Sequence, residues 1–83
     1  MSLSPEQVEQ MRYTVERMLR GMKGPTKVWN LELSSIKPLD EEGFEVIGVF
    51  SEDFAGVEKR KFKAIFGSDL KIKSVTLLGE ETE

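Results

Sequence analysis

The feature that most narrows the possible folds is a change of period at Pro25. Before it, apolar residues return every three or four positions; after it, they return every second position. One helix followed only by strands is therefore expected, and a single helix can shield just one face of a sheet. The helix carries its own start and stop. Ser4 is a capping residue, Pro5 suits the first helical position, and Gln7 completes a capping box. Val8, Met11, Val15, Met18 and Met22 form the apolar stripe, widened by Leu19. Glu9, Arg12, Glu16, Arg17 and Arg20 take the other side, with Glu16 and Arg20 spaced as a favourable ion pair. Gly24-Pro25 ends the helix, which is predicted over 5–23.

Four strands are predicted beyond it, over about 27–37, 44–51, 57–66 and 70–78. Trp29, Leu31 and Leu33 face inward on the first. Ile36 has the wrong parity, which calls for a bulge near Ser34-Ser35. Phe44, Val46, Gly48 and Phe50 face inward on the second strand, and Phe62, Ala64 and Phe66 on the third. On the fourth, Leu70, Ile72, Thr76 and Leu78 are expected to do so. Asp40-Glu41-Glu42-Gly43, Glu52-Asp53-Phe54-Ala55-Gly56 and Gly67-Ser68-Asp69 are the connections, and 79–83 is an acidic tail. Short connections pair successive strands antiparallel. The expectation is one α+β domain: an N-terminal amphipathic helix packed on a four-stranded antiparallel meander. This element order resembles the cystatin-like architecture and the PepSY-type domains. The resemblance covers element order alone and transfers no residue role.

The uncovered face follows from parity. Val28, Ile47, Val49, Ile65, Val75 and Leu77 point away from the helix. A contiguous apolar patch on a small domain marks an interface, so Ile47, Val49, Ile65, Val75 and Leu77 are candidate interface residues. The simplest occupant is a second copy in a two-fold homodimer. The third and fourth strands also carry lysines. With the turn centred on Ser68, Lys63 falls opposite Lys73 and Ile65 opposite Lys71. Lys61, Lys63, Lys71 and Lys73 are the alternative candidate site, for nucleic acid or another anionic partner. The aromatics that stack bases in single-strand binders lie on the inward parity instead. Tyr13 stands opposite the apolar stripe as an exposed aromatic.

Nothing in the chain names a reaction. With no histidine or cysteine among its 83 residues, the commonest general base, thiolate ligands and disulfides are excluded. Neither acidic connection has calcium-loop spacing, and both are expected to be solvated turns. No phosphate loop is present. No catalytic, cofactor or metal site is assigned. The expected function is a non-enzymatic interaction module. Low net charge, −3, gives no general attraction to nucleic acid or membranes. The first residues lack a basic-then-apolar leader, so the expected location is cytoplasmic. Abundant Lys and Glu beside a single asparagine lean toward a thermophilic source. Met1, Ser2 and Leu3 are given no role.

Overall fold

A computed structural model describes residues 3–39 and 43–78. Helix α1 runs Pro5–Lys23, followed by β1 Trp29–Leu39, β2 Gly43–Ser51, β3 Lys59–Gly67 and β4 Ile72–Leu77. The strands form one antiparallel sheet in the order β1-β2-β3-β4, with the helix on one face. The turn at Asp40-Glu41-Glu42 and the tail from Gly79 onward lie outside the described residues.

The helix begins as its sequence requires. Ser4 Oγ accepts from the Gln7 backbone N–H at 3.1 Å, and Gln7 Oε1 accepts from the Ser4 N–H at 2.8 Å. At the far end Gly24 adopts φ +125°, which a side chain would resist. The buried line of the helix is Met11, Val15 and Leu19, a row stepping by four. Met18 and Met22, placed in the apolar stripe by their spacing, are exposed instead. Met18 sits at the flank with Thr14, Arg17 and Ile72. Leu3, given no role beforehand, packs against the margin of the core.

β2 and β3 supply the core that alternation predicts: Val46 and Phe50 from one, Phe62, Ala64 and Phe66 from the other. Gly48 is required between them. A Cβ there would collide with the Glu32 carbonyl oxygen and come within 2.5 Å of Phe62 Cζ. The Phe62 ring thus occupies the space a side chain would need.

β1 and β4 depart from strict alternation. β1 slips against β2 twice, once between Trp29 and Glu32 and once between Leu33 and Ser35. The second slip is the bulge expected near Ser34-Ser35, and it returns Ile36 to the inner side, opposite Val46. The first slip was not expected. Asn30 adopts φ +53°, a left-handed conformation that asparagine tolerates well. The extra residue buries both Val28 and Leu31 and pushes Trp29 off the inner face. Trp29, expected in the core, is half-buried, and its Nε1–H donates to the Thr26 carbonyl at 2.8 Å.

The β3–β4 connection is a three-residue loop, Ser68-Asp69-Leu70. The Gly67 N–H donates to the Lys71 carbonyl, and the Leu70 N–H to the Gly67 carbonyl, each at 2.9 Å. Leu70 takes the left-handed position, φ +65°, that such loops need. A further slip follows at Lys73, because Phe66 faces Ile72 while Ile65 faces Ser74. Parity inverts there. Val75 and Leu77 therefore point inward, opposite Ala64 and Phe62, and pack on the core. Thr76, expected inside, faces outward opposite Lys63.

Candidate functional site

The outer face is built chiefly by β2 and β3, whose register never slips. Ile47 and Val49 on β2 and Ile65 on β3 are half-buried, and belong neither to the core nor to the shell packed on it. These three interface candidates lie where alternation put them, outside the reach of the helix. Val75 and Leu77 do not join them: the bulge at Lys73 turns them into the core margin. Val28 is likewise buried, not outward.

The lysines are also redistributed. Lys61 stands opposite Val49, and Lys63 lies between Ile47 on one side and Thr76 on the other. The expected opposition of Lys63 with Lys73, and of Ile65 with Lys71, does not occur, since the longer loop and the bulge move β4 along. The repulsion it implied is therefore absent. Lys63 instead pairs loosely with Glu45 on the neighbouring strand, Nζ to Oε2 3.9 Å. Lys71 lies at the end of the turn, where its backbone N–H donates to Asp69 Oδ1 at 3.1 Å, and the residue is exposed. Lys73 folds across Gly67, where its Cε lies 3.0 Å from the position of a Cβ. Lys59, Lys61, Lys63 and Lys73 thus share the face with Ile47, Val49 and Ile65. Glu32 and Glu45 are its acidic members on β1 and β2.

One end of this face is closed by the β2–β3 connection. A hollow of about 330 Å³ lies there, bordered by Asn30, Glu32, Val49, Ala55, Gly56 and Lys59. Both acidic residues that open the connection were expected to be solvated; Asp53 stays at the surface, Glu52 is shielded, and each has structural work. Glu52 Oε2 is shielded from water and lies 2.7 Å from Lys23 Nζ and 2.9 Å from Arg60 Nε. It ties the end of the helix to β3. The Lys23 hydrogen bond, with the charges of Lys23, Arg60 and Lys27, outweighs desolvation and holds its carboxyl below the ordinary 4.5. Asp53 accepts from the backbone N–H groups of Glu58 at 2.6 Å and Val57 at 2.9 Å. Those hydrogen bonds, led by Glu58, keep its carboxyl below the usual range.

The loop that Asp53 braces presents two apolar side chains to solvent, Phe54 at 78% and Val57 at 74% exposure. Behind Phe54 stands Trp29, edge-on at 5.0 Å between ring centroids. Sequence reasoning passed over this knuckle by treating the segment as a plain connection. The run Asp53-Phe54-Ala55-Gly56-Val57 held the available signal, an apolar pair inside a glycine-containing turn.

Among the described residues no group of three or more His, Cys, Asp or Glu side chains is gathered to hold a metal ion. No described helix is long and apolar enough to cross a membrane. Comparison with family models, curated proteins and solved structures finds no match to this chain.

Proposed function

We propose that this chain is a non-enzymatic interaction module that uses the outer face of its sheet to hold an acidic, partly apolar protein segment. The observation that carries the reading is the interleaving of Ile47, Val49 and Ile65 with Lys61 and Lys63 on two strands in unbroken register. A surface of that kind suits a partner that alternates carboxylates with aliphatic side chains. The aliphatic positions supply burial and the lysines supply sign and orientation.

Self-pairing of the same face also covers the aliphatics, but it sets Lys61 and Lys63 against the lysines of a copy. Glu32 and Glu45 are too few to answer them. Nucleic acid suits the charge but leaves the three aliphatics without partners. Among the aromatic rings near the face, Trp29 is already engaged by Thr26 and Phe54.

The test is a titration of a fluorescent peptide alternating glutamate and valine, with a single-stranded oligonucleotide as the second arm. Binding of the peptide at low salt is expected to weaken as salt rises. Joint replacement Lys61→Glu and Lys63→Glu should weaken it at least about tenfold, equivalent to about 1.4 kcal/mol. A peptide that fails to bind, or an oligonucleotide that binds more tightly than the peptide, overturns the reading.

A further inference from the structure

The hollow that closes one end of the outer face holds polar groups that the acidic segment leaves unused. Ser51, at the end of β2, is part of its lining. The residue is only 4% exposed, yet its hydroxyl has no hydrogen-bond partner among the described residues. Buried hydroxyls are normally paired, and one left unpaired beside an open space can receive a polar group from outside. The Ser51 oxygen is directed toward the loop, 3.8 Å from the point where a side chain on residue 56 would begin. Glycine at that position, held at φ +82°, keeps the approach to the hydroxyl clear.

Two opposite charges stand on either side of this hydroxyl. Glu32 lies on β1 opposite Val49, and Lys59 lies on β3 opposite Ser51, so β2 runs between them. Both border the hollow and both are exposed. Among the described residues neither has an ion-pair partner, and no ion pair joins them to each other. Two strand spacings across and two residues along place their Cα atoms about 12 Å apart. Side chains stand roughly perpendicular to a sheet, so the charged ends keep a spacing of that order.

We infer that this hollow binds an unblocked dipeptide of small residues, its ammonium on Glu32, its carboxylate on Lys59 and its central peptide group on the Ser51 hydroxyl. The spacing selects the length. The ammonium and carboxylate of a single amino acid are about 3 Å apart and cannot bridge the two walls. Those of an extended dipeptide are about 6 Å apart, which leaves about 3 Å at each end for a charge-assisted hydrogen bond. The volume, about 330 Å³, has room for small side chains, and Val49 and Ala55 give them apolar wall. A ligand of one sign would meet a wall of its own sign, which favours a zwitterion. The site is separate from the acidic-segment reading, because neither Lys61 nor Lys63 lines the hollow.

The test is an NMR titration of isotope-labelled chain with alanyl-alanine. Saturable shifts are expected at Asn30, Ser51, Ala55 and Gly56, with a dissociation constant of about 1 mM. N-acetyl-alanine amide, of similar length but uncharged at both ends, should give no saturable shift. Glu32→Gln and Lys59→Gln, each at an exposed position, should leave the circular dichroism spectrum unchanged and weaken binding about three- to fivefold. Ser51→Ala should weaken it about threefold. Absence of a saturable shift at about ten times the expected constant overturns the inference. So does binding of the blocked compound, or of glycine alone, as tightly as the dipeptide. Full affinity in both Glu32→Gln and Lys59→Gln overturns it as well.

Discussion

Between β2 and β3 every residue faces its partner without a slip, from Gly43 opposite Gly67 to Ser51 opposite Lys59. The two outer strands behave otherwise: β1 slips twice against β2 and β4 slips once against β3. The difference has a physical origin. A central strand is held by ladders on both sides, and an extra residue would disrupt both. An edge strand has one ladder and an open side, so it absorbs a bulge at lower cost and twists as it does so. Alternation is therefore a sound guide to facing in the middle of this sheet and a poor one beyond the first slip at either edge.

The sharpest way to break that comparison is to empty the centre and the edge in turn. Phe62→Ala removes a fully buried ring from a central strand and should cost about 3–5 kcal/mol in chemical denaturation. For a domain this small, that is most or all of its stability. Leu77→Ala, opposite it on β4 and only partly buried, should cost clearly less, about 1–2 kcal/mol. Equal losses would mean that β4 is packed as deeply as β3.

A second contrast concerns facing alone. Val75→Asp puts a carboxylate on the core side of β4, whereas Ile65→Asp puts one on the open side of β3. The former should be the more destabilising by about 2 kcal/mol. If Ile65→Asp proved the costlier, the parity inversion at Lys73 would be wrong.

A smaller effect probes the unexpected bulge. Asn30→Val forces a β-branched residue into a left-handed conformation and should cost about 1–2 kcal/mol, while Asn30→Gly stays near neutral. If valine is tolerated as well as glycine, Asn30 is not what holds Val28 and Leu31 on the same side.

The smallest effect lies at the junction of helix and sheet. Glu52 has a folded-state pKa below its ordinary value, so its contribution is complete above about 4.5 and lost as pH falls through the folded value. Wild type should exceed Glu52→Gln by about 1 kcal/mol or less at neutral pH. The gap should narrow on acidification below 4.5. A gap that widened in acid would reverse the sign of this coupling.

Much of the fold is legible in the chain itself. The capping box at Ser4 and Gln7, the stop at Gly24, the Glu16–Arg20 pair and the inward faces of β2 and β3 all follow from local spacing. Of the candidate site, Ile47, Val49 and Ile65 follow for the same reason, since nothing interrupts alternation around them. Val75 and Leu77 were misassigned because a bulge has no sequence mark as plain as a proline or a paired glycine. The loop geometry at Leu70, where leucine takes a position usually given to glycine, hid the true length of the turn. The knuckle was missed for a different reason: exposure of Phe54 depends on Asp53 closing the loop on itself.

By itself, the order of residues determined one amphipathic helix, a run of strands and the faces of the central pair, because these rest on periods of 3.6 and 2 within short segments. The tertiary structure decided where the edge strands slip, which side Trp29, Val75 and Leu77 take, and how Glu52 joins helix to sheet. Those outcomes depend on contacts between segments distant in sequence. There the gain from filling one shared core outweighs the local cost of an irregular residue.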